Sequence, residues 1–177
     1  AYANPRTCLG EEFHTDAGED LKNSFQISAV SLASLVREAA PAMKNGGSVV
    51  TLTFDSQRAY PYYNWMGVNK AALEAVVRAL ARRHGRDHIR VNAVSAGPLY
   101  SKAAVSIPGY GELSRTWQKM SPLPWDTEGD KQSVAHAVAF LLGYLSTKIT
   151  GQVLHVDGGA SAVEGEILPH ERRNDET

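Results

Sequence analysis

The feature that most constrains the fold is an alternation of helical patterns with short, largely apolar runs. Three such runs occur, at 48–54, 89–94 and 152–156, and each follows a stretch whose apolar residues repeat at helical spacing. A short apolar run bounded by turn residues is typical of a strand buried on both faces. The alternation therefore predicts an α/β fold, in which helices cover both faces of a parallel sheet.

The helical patterns have recognisable boundaries. Asp16 is predicted to be the N-cap of a first helix, with Glu19 as its capping-box partner, and the apolar repeat of this helix continues to about Ala39. A second helix is predicted over 63–84, and a third starts near Thr127. The intervening segment 99–125 is irregular and contains Pro108, Gly109, Gly111, Pro122 and Pro124. This composition predicts a loop with one or two short helices around 113–120.

Composition excludes several classes of protein. The 177 residues carry 18 basic and 19 acidic side chains, so neither a nucleic acid nor an anionic membrane is indicated as a partner. The single cysteine, Cys8, has no intramolecular disulfide partner, and no apolar run approaches the ~18 residues of a membrane span. The first residues lack the pattern of a signal peptide. These observations predict a cytoplasmic location.

The domain prediction is one partial Rossmann-like domain at 1–163 and a charged, disordered tail at 164–177. A dinucleotide-binding fold begins with a glycine-rich strand–turn–helix unit, and a βαβ unit needs ~30 residues or more. Only fifteen residues precede Asp16, and Gly10 stands alone among them. The sequence therefore predicts the C-terminal portion of a Rossmann-type doubly wound parallel sheet. The first βαβ units would be missing, and the isolated chain would be an inactive fragment.

Tyr63 and Lys70 are the strongest candidates for chemistry. Seven residues turn a helix through about 700° with a rise of about 10 Å, so the two side chains share one face. Three polar or glycine-rich segments, Phe54, 95–101 and 157–159, follow strand ends, where ligands of parallel sheets bind. A phenol has a pKa of about 10, and a nearby cation is the usual way to make it a better proton donor. From spacing alone, a buried tyrosine and a surface lysine remain the alternative.

Four segments resemble the short-chain dehydrogenase/reductase family and, within it, the enoyl-acyl carrier protein reductases. They are 25–34, the segment Tyr63-Asn-Trp-Met-Gly-Val-Asn-Lys70 with the residues from Phe54 onward, the segment 90–104 around Ala96-Gly97-Pro98, and 150–159. Most members of the larger family have Tyr-x3-Lys, whereas only Tyr-x6-Lys fits here. The resemblance extends from Ala1 to about Val163.

The resemblance implies fatty acid biosynthesis, with hydride transfer from NADH to a trans-2-enoyl thioester on acyl carrier protein or coenzyme A. NADPH is not excluded as the cofactor. The implied catalytic residues are Tyr63, which would stabilise the enolate, Lys70, which would hold the nicotinamide ribose, and Phe54. Phe54 stands where this enzyme often has a second tyrosine, and without a hydroxyl it cannot share a proton. The complete enzyme would be a homotetramer.

The resemblance also implies binding residues. Besides Lys70, the cofactor would contact a loop that follows the second strand, formed by Gly97, Pro98, Leu99, Tyr100, Ser101, Lys102 and Ala103. The substrate would contact Ala3, Phe54, Tyr63 and Met66. Tyr100 departs from the arginine expected there, and Ser101 replaces a common threonine. The loop at 100–125 would determine the acyl length.

Two alternatives remain open. A ketone or alcohol oxidoreductase of the same family predicts Tyr-x3-Lys and a serine about a dozen residues before the tyrosine, where this chain has Val50 and Thr51. A non-enzymatic fragment that keeps only part of the fold is the other alternative. No metal site is predicted, because the six histidines form no ligand set and Gly85 interrupts the helix between His84 and His88.

Overall fold

The structure, a computed structural model, describes residues 5–10, 12–13 and 17–165. Its strands are β1 (Gly47–Thr53), β2 (Ile89–Ala96) and β3 (Val153–Val156). Its α-helices are α1 (Gly18–Phe25), α2 (Ser31–Ala39), α3 (Asn64–His84), α4 (Lys102–Val105), α5 (Tyr110–Met120) and α6 (Asp130–Leu142). The predicted Asp16 cap, Ala3 and the tail beyond 165 lie outside the described residues.

The sheet has the order β1-β2-β3, and both strand pairs are parallel. The β1–β2 ladder begins at the pair Gly47 and Ile89, and the β2–β3 ladder ends at the pair Ala96 and Val156. Each parallel connection contains a helix, which is the crossover that parallel strands require. The predicted α/β class and its parallel sheet are confirmed.

Helices cover both faces of the sheet, because alternate residues of β2 point to opposite sides. One face receives α2 and α3, whose apolar residues enclose Ile89, Val91 and Ala93. The other face receives α5 and α6, which pack around Val94 and Ala96. This two-sided burial confirms the doubly wound arrangement, and it explains why Val91, Ala93 and Val94 of β2 are all apolar.

The helix predicted up to Ala39 is not continuous. A π-helical segment, Gln26–Val30, separates α1 from α2, and the N–H of Ser31 bonds the carbonyl of Gln26. The Ser31 hydroxyl donates to the carbonyl of Ile27 at 2.6 Å, so a side chain adds a bond where the helix widens. Pro41 ends the helix in a 3₁₀ turn, Ala40–Ala42, because proline lacks an N–H.

Strand ends differ from prediction by one or two residues. β1 spans Gly47–Thr53 and not 48–54, and β2 continues two residues beyond Val94 because Ala96 still pairs with Val156. Asn92 is a fully buried polar residue within β2. Its amide nitrogen donates to the Ile149 carbonyl at 2.9 Å, and its amide oxygen accepts from the N–H of Gln152 at 3.1 Å. These bonds satisfy Asn92 and fix the start of β3.

The irregular segment after β2 contains two helices, α4 and α5, where the sequence predicted one or two. Trp117 anchors α5, with a fully buried ring whose Nε1 donates to the carbonyl of Asp157 at 2.9 Å. The segment is therefore attached to the turn after β3. Among the described residues, no helix is long and apolar enough to cross a bilayer.

Candidate functional site

The turn that links β1 to α3, residues 54–63, is organised by a buried carboxylate. Asp55 is 3% exposed and accepts hydrogen bonds from the Gln57 N–H at 3.0 Å and the Tyr60 hydroxyl at 2.8 Å. The Arg58 guanidinium bonds the same carboxylate at 3.3 Å. Buried carboxylates need such donors, so this turn has a defined shape. It delivers Tyr63 to the first turn of α3.

Tyr63 lies at the N-terminus of α3 with its ring against Phe54, at a centroid separation of 4.6 Å. The side chain is 8% exposed, and within the described residues its hydroxyl makes no hydrogen bond. Burial raises the pKa of the Tyr63 phenol above its usual value of 10. Burial, and not a nearby cation, therefore determines the direction of this shift. Tyr63 stays protonated and is a hydrogen-bond donor.

Lys70 lies two turns further along α3 and faces the same strand end. Its Nζ donates to the carbonyl of Leu52, the penultimate residue of β1, at 3.0 Å. Burial lowers the pKa of the Lys70 ammonium, and the carboxylate of Glu74 partly opposes this effect. The structure thus brings Tyr63 and Lys70 together at the end of β1, as their spacing predicts.

Glu74 belongs to this site, and the sequence analysis missed it. The side chain is 7% exposed and accepts hydrogen bonds from the Thr53 hydroxyl at 3.0 Å and the Ser56 hydroxyl at 2.6 Å. The carboxylate therefore joins α3 to the end of β1 and to the following turn. A signal was present, because a glutamate four residues after a lysine shares its helix face.

Four aromatic rings, including that of Tyr63 itself, form a continuous wall. The ring of Phe54 lies 4.8 Å from that of Tyr60 and 5.3 Å from that of Trp117, and the rings of Tyr60 and Trp117 are 5.5 Å apart. Met66 packs against the same cluster. Phe54 and Met66, both predicted to be near the substrate, are therefore next to Tyr63.

The first half of the 97–103 loop is held by backbone bonds. The Gly97 N–H donates to the carbonyl of Val156 at 3.0 Å, and the Tyr100 N–H donates to that of Thr127 at 3.0 Å. The carbonyl of Pro98 accepts from Trp125 Nε1 at 2.8 Å. Leu99 packs with the aromatic cluster. The loop therefore lies beside the wall with a fixed backbone.

The second half of this loop leads into α4. The Ser101 hydroxyl accepts from the Ala104 N–H at 3.0 Å, so Ser101 is the N-cap of this short helix. Tyr100 is 47% exposed, and the Lys131 ammonium lies 5.5 Å from the centre of its ring. Lys102 is exposed and Ala103 is half-buried. A ligand that donated a hydrogen bond to the Ser101 hydroxyl would therefore compete with the Ala104 N–H for this acceptor.

Gly97 is at a point of close approach. A Cβ at this position would lie 2.7 Å from Trp117 Nε1 and 2.7 Å from Trp125 Cε2. Only glycine leaves room for both indoles, and both make hydrogen bonds through Nε1. The Ala-Gly-Pro pattern therefore has a packing reason in addition to any ligand contact.

A cavity of about 650 Å³ opens at the N-terminus of α3. Its lining combines the 56–63 part of the turn, including Tyr63, with Gly10 and Phe13 on the opposite side. Ala3, the remaining predicted substrate contact, lies outside the described residues. In the part of the chain that the structure describes, no group of three potential metal ligands occurs.

Comparison with known proteins agrees with this geometry. A family model described as enoyl-(acyl carrier protein) reductase matches residues 1–161. The chain is 39% identical over 160 residues to the enoyl-acyl-carrier-protein reductase (NADH) FabI of Rickettsia bellii, which covers 90% of this chain and 60% of that relative. It is 40% identical over 168 residues to the enoyl-acyl-carrier-protein reductase (NADH) of Mycolicibacterium smegmatis, which covers 89% of this chain and 62% of that relative.

A solved structure has the same fold. It is the Bacillus cereus enoyl-acyl carrier protein reductase with NADP+ and indole naphthyridinone, with a TM-score of 0.85 and 36% identity. The alignment covers 93% of this chain and 63% of the other. The chain thus spans about 60% of the length of the curated relatives it matches. With a family match over 161 of its residues, the chain belongs to the enoyl-acyl carrier protein reductase family.

Proposed function

We propose that the protein to which this chain belongs reduces a trans-2-enoyl thioester with a reduced nicotinamide. The observation that carries the proposal is the placement of Tyr63 and Lys70 at the end of β1, where the Tyr63 ring packs on Phe54 and the Lys70 ammonium bonds the Leu52 carbonyl. The family to which the chain belongs supports the same reaction. In this proposal Tyr63, Lys70 and Phe54 form the catalytic site, and the 97–103 loop binds the cofactor. Ala3 and Met66 would contact the substrate together with Phe54 and Tyr63.

The donor set suits the nicotinamide half of the cofactor. An ammonium offers three N–H donors, and Lys70 uses one of them on the Leu52 carbonyl, which leaves two for ribose hydroxyls. The 97–103 loop has an ordered backbone that can lie along an extended ligand. The cofactor, when bound, supplies the hydride.

The residues of this chain would then act on the charge that the hydride creates. Negative charge develops on the thioester oxygen, and a donor aimed at that oxygen stabilises the transition state more than the ground state. Tyr63 is protonated and its hydroxyl makes no hydrogen bond within the described residues, so it is suited to this role. The aromatic wall around it excludes water and so strengthens the hydrogen bond.

Relatives support NADH as the cofactor, because both curated relatives described above carry NADH in their names. The Bacillus cereus structure contains NADP+, so NADPH stays a second candidate. We propose acyl carrier protein as the carrier of the thioester, with coenzyme A as the alternative. A homotetramer and a cytoplasmic location complete the proposal, with one domain over 1–163 and a separate tail.

The competing ketone or alcohol reaction lacks its catalytic serine. Val50 and Thr51 occupy the expected position in β1. The nearest hydroxyls at the strand end, those of Thr53 and Ser56, both donate to Glu74. Neither is therefore available to replace that serine beside Tyr63.

The full-length gene product tests the proposal. Loss of the nicotinamide absorbance is followed with a trans-2-enoyl thioester and, in parallel, with a 3-ketoacyl thioester of equal length. We expect turnover of the enoyl substrate. A preference for the ketoacyl substrate would contradict the proposal, and an absence of turnover with both would favour the non-enzymatic alternative.

A further inference from the structure

The backbone on each side of Tyr63 has an unusual conformation. Tyr62 has φ of 63° and Asn64 has φ of 42°, a region that residues other than glycine rarely adopt. Hydrogen bonds to the distant residue Gly10 hold both residues in place. The Tyr62 carbonyl accepts from the Gly10 N–H at 3.0 Å, and the Asn64 amide donates to the Gly10 carbonyl at 3.2 Å. Such strain persists where the surrounding contacts determine the conformation.

The ring of Tyr62 lies against a glycine at the start of α5. A Cβ on Gly109 would be 2.3 Å from Cγ and 2.4 Å from Cδ2 of Tyr62, so the ring covers the bare α-carbon. Gly109 has φ of 77° and is the N-cap residue of α5. The left-handed backbone at Tyr62 is therefore associated with a contact to a segment more than forty residues away.

The other end of α5 is attached to the same turn. Trp117 lies eight residues after Gly109, a rise of about 12 Å along a helix. Its ring contacts those of Phe54 and Tyr60, at 5.3 Å and 5.5 Å between centroids. Residues 54–63 therefore hold α5 at two points, one at each end. Of the two, only the Tyr62 contact is adjacent in sequence to the catalytic candidate.

We propose that Tyr62 is a positioning residue, whose ring on Gly109 fixes the distance between α5 and Tyr63. Because α5 lies in the segment that follows the 97–103 loop, this contact would limit the space for the acyl chain and so affect the selectivity for acyl length. This role depends on the proposed reductase function, whereas the contact between Tyr62 and Gly109 does not.

Two substitutions at Tyr62 separate the ring from the backbone. Tyr62→Asn removes the ring and keeps a residue that tolerates positive φ. Tyr62→Phe keeps the ring. We expect Tyr62→Asn to lower kcat/KM for a long-chain enoyl thioester about tenfold, through KM, with a smaller change for a short-chain substrate and an unchanged Kd for NADH. Tyr62→Phe should have the same dependence of kcat/KM on acyl length as the unmodified enzyme. Equal profiles for all three proteins would overturn the positioning role.

A thermal-unfolding cycle tests the contact without any assay of activity. Gly109→Ala is made in the unmodified protein and in Tyr62→Asn. Gly165→Ala is the matched control, because Gly165 has φ of 78° with no atom within 4 Å of a Cβ. Gly111→Ala is the control for a substitution in α5 that contacts nothing. In the unmodified protein, we expect Gly109→Ala to lower Tm more than Gly165→Ala does. In the Tyr62→Asn background, the two glycine substitutions should lower Tm by the same amount. If Gly109→Ala lowered Tm by the same amount with and without Tyr62→Asn, the proposal would be overturned.

Hydrogen exchange distinguishes a failure of this proposal from a failure of the proposed function. Amides of 110–120 should exchange faster in Tyr62→Asn than in Tyr62→Phe, whether or not the protein turns over an enoyl thioester. Absence of turnover in the unmodified protein would reject the reductase function and with it the selectivity role. Unchanged exchange in Tyr62→Asn would reject the docking of α5 by Tyr62.

Discussion

Lys70 and Leu52 are joined by a hydrogen bond of 3.0 Å from the lysine Nζ to the leucine carbonyl. Leu52 is itself part of the β1–β2 ladder, where it pairs with Val94. The ammonium is thus fixed by the backbone of the sheet and keeps two donors for a ligand. A single side chain therefore serves both the fold and the proposed cofactor site.

The first prediction concerns this lysine. Lys70→Ala should weaken NADH binding by about tenfold to a hundredfold, because hydrogen bonds to a charged group are lost. Nicotinamide fluorescence during titration of the full-length protein measures the effect. Lys148→Ala removes an exposed lysine and is the control. If NADH affinity survived Lys70→Ala, the role assigned to Lys70 would be incorrect.

The second prediction compares two tyrosines of the aromatic wall, the buried Tyr63 and the half-buried Tyr60. Tyr63→Phe should lower kcat by about a hundredfold or more, with NADH affinity and Tm nearly unchanged, because the lost group acts in the transition state. Tyr60→Phe removes a hydrogen bond to Asp55 and should instead lower stability by about 1–3 kcal/mol. Steady-state kinetics and thermal unfolding of both variants provide the test. A larger kcat loss in Tyr60→Phe would reverse the assignment.

The third prediction is a pH dependence of cofactor affinity. Burial raises the pKa of Tyr63 and lowers that of Lys70, whose ordinary value is 10.5. NADH affinity should therefore be present below the Lys70 pKa and be lost as the pH rises through it, at a pH below 10.5. Fluorescence titrations between pH 7 and 10.5 locate this midpoint.

Glu74→Gln provides the control for that midpoint. The Glu74 carboxylate raises the Lys70 pKa, in opposition to burial. The glutamine carbonyl can still accept one of the two hydrogen bonds, from Thr53 or from Ser56, but the neutral amide no longer favours the charged lysine. The midpoint should therefore move to lower pH. A shift of the midpoint to higher pH in Glu74→Gln would contradict the assignment of this titration to Lys70. A midpoint that moved or disappeared in Tyr63→Phe would contradict it as well.

Local patterns were sufficient for the strands and for the Tyr63–Lys70 pair. The strand at 89–94 was identified because a strand buried on both faces is largely apolar, and the seven-residue spacing gave the shared helix face. The π-helical segment was not predicted. Its wider turn depends on the carbonyl of Gln26 and the packing of buried Ala29 against α3, neither of which has a periodic signal.

Contacts between distant segments explain the remaining differences. The ring of Tyr62 meets Gly109, and Trp117 Nε1 meets the carbonyl of Asp157, forty residues further along the chain. Such pairs depend on how the turns after the strands are arranged in three dimensions, and no spacing rule relates them. The buried Glu74 is similar, because its partners Thr53 and Ser56 belong to another element.

The last prediction concerns the space around Gly97. This residue lacks a left-handed backbone, so Gly97→Ala carries no penalty in φ and tests the space alone. The added methyl group would lie 2.7 Å from both Trp117 and Trp125, and a well-packed core resists such an insertion by about 1–3 kcal/mol.

Both indoles must shift to admit the methyl group, which weakens their hydrogen bonds to the carbonyls of Asp157 and Pro98. Tm should fall by about 2–4 °C for each kcal/mol lost in a domain of this size. Tryptophan emission should move to longer wavelength as the rings become more exposed to water. Gly111→Ala is the control, because no atom lies within 4 Å of its Cβ. It should neither lower Tm nor move the tryptophan emission to longer wavelength. A Gly97→Ala protein as stable as the unmodified one would show that the two tryptophans do not enclose this residue.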